Sequence, residues 1–226
     1  MTAPRLVAVD LGRVVYEEAL ALQRALVERR RAGEGEDLLL LVEHDEVVTT
    51  GRRAQAAERD QGELAPVTAA GLRVVEVERG GAATYHGPGQ LVGYPIVRLG
   101  EGERDLHRVL RALEDSVAAA ITSTTGLPAG PRAGLTGVWS GEKKVCSIGI
   151  ACRGWVTYHG FALNLTADLA RFRLFRPCDL EANVMASLEA LGADPDRAAL
   201  ADAIHQGLAA RLGRDPAKGE RADAGA

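Results

Sequence analysis

The stretch Arg79-Gly80-Gly81-Ala82-Ala83-Thr84-Tyr85-His86-Gly87-Pro88-Gly89-Gln90 limits the choice of fold more than any other part of the chain. Four glycines and a proline in twelve residues, set between two strand-like segments, describe a loop whose backbone must approach something closely. It is not a dinucleotide fingerprint. The glycines at 87, 89 and 93 break the G-x-G-x-x-G spacing, and a strand follows where a helix would have to open. The plainer alternative is a tight connection between strands. Arg79, Thr84, Tyr85 and His86 among the glycines favour a binding loop.

The surrounding pattern supplies the frame. Leu6 to Val9 reads as a first strand, and Tyr16 to Arg31 as an amphipathic helix stopped by Gly33 and Gly35. Leu38 to Glu43, Val47 to Thr50 and Arg73 to Glu78 read as strands, with a polar, Ala-rich loop or short helix over Ala54 to Pro66. Leu91 to Leu99 is a further strand and Asp105 to Thr124 a long helix. A hairpin joins Gly137–Ser140 to Val145–Ala151 around Gly141-Glu142, followed by a strand over Val156 to Leu165 and a helix over Pro195 to Leu212. Strands cluster in the middle and helices sit to the sides, which predicts an α/β (α+β) domain around a mixed sheet. The expectation is one catalytic domain over residues 1–212, with Gly213 to Ala226 a disordered tail. The longest aliphatic run, Leu38 to Val42, is far short of the ~20 apolar residues of a membrane span. The N-terminus lacks a basic segment followed by a signal-type apolar stretch, so a cytoplasmic protein is expected. A net charge of −4 argues against a general nucleic-acid binder.

Cysteine and lysine usage point to the chemistry. Cys146, Cys152 and Cys178 are too few and too irregularly spaced for a disulfide framework, and no C-x-x-C or H-E-x-x-H metal motif is present. Cys146 and Cys152 fall in or beside a strand and read as small core residues. Cys178 follows a proline in a loop, with Arg171, Arg173 and Arg176 just before it, and positive charge lowers a thiol pKa. It is the best nucleophile of the three. Of 27 basic residues only Lys143, Lys144 and Lys218 are lysine, leaving 24 arginines. Lysine, unlike arginine, can lose its proton at accessible pH, so the pair at 143 and 144 hints at proton chemistry. A cysteine nucleophile with a proton-accepting lysine suggests acyl transfer through a thioester.

Four motifs in order, RGG-x-x-T-Y-H-G-P-G-Q-L-V-G-Y-P, GEKKVCSIG, T-Y-H-G-F-A-L-N and the Pro-Cys loop, make the chain similar to the lipoyl(octanoyl) transferases from about Val7 to Ala190. The resemblance implies a biotin/lipoate ligase-like fold, a mixed sheet flanked by helices with the acyl chain between loop and sheet. It implies transfer of octanoate from acyl carrier protein to a lysine of lipoyl domains, those of 2-oxoacid dehydrogenases and of the glycine cleavage H protein. No cofactor, metal, nucleic acid or membrane is implied. The family's nucleophile falls on Cys178 and its lysine, which lowers the pKa of or deprotonates that thiol, on Lys144. Its acyl-binding segments fall on Arg79, Gly80, Gly81, Ala82, Ala83, Thr84, Tyr85 and His86, on Ser147, Ile148 and Gly149, and on Gly160, Phe161 and Ala162. Two departures are visible: Glu46 stands where the family usually has Pro, and Asp179 where it has Gly after the nucleophile.

Three rival readings remain at this point. An ATP-dependent lipoate or biotin ligase of the same fold needs no cysteine nucleophile. A non-catalytic acyl-binding module would keep the pocket without turnover. A hydrolase using Cys178 with His159 or His86 would release free octanoate. The three arginines before Cys178 are expected to help dock an acidic carrier protein against the chain's own net negative charge.

Overall fold

The computed structural model describes residues 3–53, 64–177 and 180–225. The chain opens with β1 (Arg5–Arg13), α1 (Tyr16–Arg31) and β2 (Asp37–Glu43), and β2 sets the architecture. Its five consecutive apolar residues, Leu38 to Val42, are stable in a strand only when both faces are covered. Leu39 and Leu41 turn to one cluster with Leu6, while Leu38, Leu40 and Val42 turn to another with Val7, Val9 and the α1 residues Leu26 and Val27. The side-chain period of two thus places two cores on opposite faces of one sheet.

The next elements are β3 (Val47–Thr50), α2 (Ala65–Ala69), β4 (Arg73–Glu76), β5 (Ala83–His86) and β6 (Gln90–Ile96). They lead to α3 (Leu106–Thr125), β7 (Gly130–Arg132), β8 (Leu135–Ser140), β9 (Lys143–Arg153) and β10 (Val156–Asn164). A 3₁₀ segment, Leu169–Leu174, precedes α4 (Arg197–Leu212), β11 (Asp215–Lys218) and the one-turn α5 (Arg221–Ala224). The main sheet has eight strands in the order β11-β1-β2-β6-β10-β9-β8-β7, and a second sheet has the order β4-β3-β5. β11, β1 and β2 run parallel and the remaining main-sheet neighbours antiparallel, so the sheet is mixed. Helices α3 and α4 cover one face through Leu113, Val117, Ile121, Leu200, Ile204 and Leu208. Asp105 and Asp196 cap these two helices, each accepting two backbone N–H bonds, and Gly126 and Gly213 end them in the left-handed conformation. Among the described residues no helix is long and apolar enough to cross a membrane.

The C-terminal segment departs from the expected tail. Gly213 turns the chain at the end of α4, and Asp215–Lys218 then add to β1 as a parallel edge strand. Arg214 anchors the turn: it is only 6% exposed and pairs with Asp37 at 2.9 Å and Glu103 at 2.5 Å. Burying one arginine among two carboxylates holds the segment more firmly than its Gly, Ala and charge content suggests. The segment over residues 54–66 lies mostly outside the described residues.

Candidate active site

The glycine-rich stretch is partly a strand, and its alternation decides which side chains meet. In β5, Thr84 and His86 line a cavity of about 40 Å³. Ala83 and Tyr85 point the other way, into a cluster with Val48, Phe172 and Met185. The same cavity is lined by Arg79, Gly80, Gly81, Ser147, Ile148, Gly149, Gly160, Phe161 and Ala162. Three segments distant in sequence therefore meet in one place. Ala83 and Tyr85 are excluded by the pleat, and Ala82 lines a neighbouring cavity instead. Tyr16 of α1, Tyr94 of β6 and His159 of β10 complete the lining. Tyr16 and Tyr94 were not legible as site residues, since each sits in an ordinary amphipathic or strand pattern.

Glycine is required where backbones approach. A Cβ on Gly149 would come 2.9 Å from the Gly80 carbonyl oxygen, and one on Gly51 would come 2.5 Å from that of Gly81. Gly80 N–H donates to the Ile150 carbonyl at 3.1 Å, tying the loop to β9. Arg79 holds the loop from inside. Its guanidinium donates to the carbonyls of Ala82 and Gly80 at 2.7 and 3.1 Å and to the Thr49 carbonyl and hydroxyl at 2.7 and 2.9 Å. Its hydrogen bonds shape the wall of the cavity.

Lys144 is not a solvated turn residue. It is buried at the start of β9, with its Nζ 5.8 Å from the centroid of the Trp139 ring. A Cβ on Gly137 would stand 2.7 Å from Lys144 Cε, so glycine there leaves room for the lysine stem. Lys144 lines a second cavity, of about 280 Å³, with Gly80, Gly81, Ile148, Gly149 and Leu180. Gly80, Gly81, Ile148 and Gly149 also line the first cavity, so the two cavities meet at a junction formed by these four residues. Cys178 and Asp179 lie outside the described residues. Their neighbours are described: Pro177 is buried, Leu180 N–H donates to the Pro177 carbonyl at 2.9 Å, and Ala186 N–H donates to the Lys144 carbonyl at 3.0 Å.

Glu46, the departure from the family pattern, has a structural task. Its carboxylate accepts two bonds from Arg171, at 2.6 and 3.1 Å, and one from the Tyr85 hydroxyl at 3.0 Å. It therefore ties the segment preceding Cys178 to β3 and β5. Arg171 is thus committed within the fold, and Arg176 pairs with Glu181 at 2.9 Å. Of the three arginines expected to dock a partner, Arg173 and Arg176 are exposed.

Beside the cavity lies a buried group of rings. His44 Nδ1 donates to the Val14 carbonyl at 2.7 Å, which makes Nε2 the acceptor of the Tyr94 hydroxyl, also at 2.7 Å. Tyr16 stacks on His86 with 5.5 Å between centroids. His159 holds a positive φ of 54° within β10, fixed by its N–H bond to Gln23 Oε1 at 2.8 Å. Burial pushes His44 below its ordinary value of 6.5 and His86 well below it. Burial and the Arg79 guanidinium push His159 down to about 4. From pH 6.5 down to about 4 the unfolded chain binds a proton on His159 that the folded chain does not, and the lowered His44 and His86 act in the same direction. Stability is therefore expected to fall with pH over that window, approaching about 1.4 kcal/mol per pH unit per ring. Melting temperature against pH checks this: His159→Asn should flatten the slope by about one ring, and a profile already flat would contradict it.

Residues 15–209 match the sequence profile of the lipoyl protein ligase A/B catalytic domain. The chain is 46% identical over 182 residues to an octanoyltransferase of Geobacter metallireducens, covering 80% of this chain and 81% of that protein. It is 49% identical over 172 residues to an octanoyltransferase of Geobacter sulfurreducens, covering 76% and 69%. A bipartite lipoate protein ligase from Thermoplasma acidophilum, described with its E2 lipoyl domain, shares the fold with a TM-score of 0.73. That match has 19% identity and covers 99% of this chain and 91% of the other. The biotin protein ligase of Aquifex aeolicus shares it more loosely, with a TM-score of 0.53 at 15% identity over 92% and 70% of the two chains. The fold is thus that of the lipoate and biotin protein ligases. Within the lipoyl protein ligase A/B family the chain belongs to the octanoyltransferases, and it is an acyltransferase.

Proposed function

We propose that this enzyme moves an octanoyl group from acyl carrier protein to a lysine of a lipoyl domain, through a thioester on Cys178. The observation that carries the reading is the company of Lys144. It is buried beside a cavity that Leu180, two residues past Cys178, also lines, and that shares Gly80, Gly81, Ile148 and Gly149 with the cavity lined by Thr84 and His86. Lys144 takes the Cys178 proton, and the thiolate attacks the thioester carbonyl of the donor. The tetrahedral intermediate expels the phosphopantetheine thiolate, which takes the proton from Lys144. The acceptor amine then attacks the acyl-enzyme and passes a proton to Lys144 as Cys178 leaves as thiolate. Thioester exchange is nearly balanced in energy, and amide formation draws the sequence forward.

A reconstituted reaction tests this against its rivals. Octanoyl-acyl carrier protein and an apo lipoyl domain should give the octanoylated domain without nucleotide. Transfer that needs ATP and free octanoate would establish a ligase instead. Octanoate released at a rate independent of acceptor would establish a hydrolase.

A further inference from the structure

The cavity beneath β5 holds more polar atoms than an apolar chain requires. Among the described residues, Thr84 Oγ1, His86 Nδ1 and His159 Nε2 are buried without a hydrogen-bond partner, and all three residues line it. The Glu78 carboxylate lies 3.7 Å from His159 Nε2, too far for a hydrogen bond. None of the three residues lines the cavity that holds Lys144. They therefore lie beyond the junction at Gly80, Gly81, Ile148 and Gly149, on the side away from that lysine.

We propose that Thr84, His86 and His159 form a polar stop that sets the length of acyl chain the enzyme accepts. The inference rests on the acyl-transfer reading, with the reacting carbonyl beside Lys144 and the methyl end past the junction. Buried polar atoms in a polar site hold ordered water. Each methylene entering the cavity gains roughly fourfold in binding from its burial. A chain long enough to strip the partner from one buried polar atom loses roughly five- to 150-fold. Binding thus improves with length up to the stop and worsens beyond it. Polarity, rather than the volume of a wall, makes the limit. Phe161 serves the opposite need: its ring lies against Gly93, where a Cβ would come 2.2 Å from Phe161 Cε1, and closes the apolar side.

The test is a competition in one tube among hexanoyl, octanoyl, decanoyl and dodecanoyl carrier proteins, read by the mass of the acylated lipoyl domain. The product ratio does not depend on how much of a variant is active. His86→Leu and Thr84→Val, each close in shape to the original, should each raise the decanoyl-to-octanoyl ratio roughly tenfold. Thr84→Val carries the test alone should the imidazole prove necessary for folding. An unchanged ratio in both variants overturns the proposal. So does a shift found only in His86→Ala, since added volume would then be the cause. Failure of the unmodified enzyme to transfer any acyl group would remove the acyl-transfer reading itself, whereas transfer with an unmoved ratio removes only the polar stop.

Discussion

Lys144→Ala should fold normally and lose octanoyl transfer by roughly 10²- to 10⁴-fold, the usual contribution of a positioned acid–base group. The fold is expected to survive because the residue's structural bonds are made by its backbone: the Lys144 carbonyl accepts from Ala186 N–H at 3.0 Å, and β9 pairs with β8 and β10. Lys144→Arg separates charge from proton transfer. Guanidinium keeps the positive charge and does not release its proton in this range. Cys178 in that variant should still alkylate readily, as a thiolate held by a nearby cation, while transfer to the lipoyl domain falls nearly as far as in the alanine variant. Arginine is also longer, and the space beside Gly137 is tight, so thiolate formation should be followed by pH-dependent alkylation separately from turnover. Near-normal turnover in Lys144→Arg would leave Lys144 as electrostatics alone.

The largest stability loss is expected at Gly160. A Cβ there would stand 2.1 Å from the Gly93 carbonyl oxygen and 2.7 Å from Pro95 Cδ. Neither obstacle is the flexible end of a side chain, and β6 is held by β2 on one side and β10 on the other. The strands must separate locally to admit the methyl group. Gly160→Ala should cost about 3 kcal/mol or more, at the upper end of what overpacking does, and lower the melting temperature by roughly 10 °C. Gly102→Ala is the control: a Cβ there meets nothing within 4 Å and should leave stability within about 0.5 kcal/mol. Equal melting temperatures for the two variants would contradict the packing argument.

How much of this was legible in the sequence depended on whether the signal was local. The α1 limits, Tyr16 to Arg31, follow from periodicity and the glycines beyond it, and the hairpin of β8 and β9 from its Gly141-Glu142 turn. The glycine loop, the GEKKVCSIG segment and β10 were recognisable as parts that meet, and Gly80, Gly149 and Gly160 show why: each sits where another backbone passes. Direction was harder to read. Tyr85 follows Thr84 in the same motif, yet the pleat turns it away from the cavity and toward Glu46 and Phe172. Arg79 lines the cavity as its motif suggests, and its guanidinium also bonds to the carbonyls that shape the loop, which no local pattern shows. Lys144 reads as a solvated turn residue on position alone, and the scarcity of lysine and the GEKKVCSIG motif are what mark it. The edge strand β11 was hidden because its partner, β1, is about 200 residues away in sequence and Arg214's partners, Asp37 and Glu103, are also distant. No local pattern records such pairings.

The proposed mechanism requires a covalent octanoyl-enzyme formed at Cys178 without nucleotide. It is tested most directly by incubating the protein with octanoyl-acyl carrier protein alone, then measuring intact mass and mapping the modified peptide. One octanoyl group is expected on the peptide containing Cys178, labile to hydroxylamine, absent in Cys178→Ala and lost when an apo lipoyl domain is added. Transfer to the lipoyl domain by a Cys178→Ala enzyme, or an adduct that forms only with ATP, would contradict it.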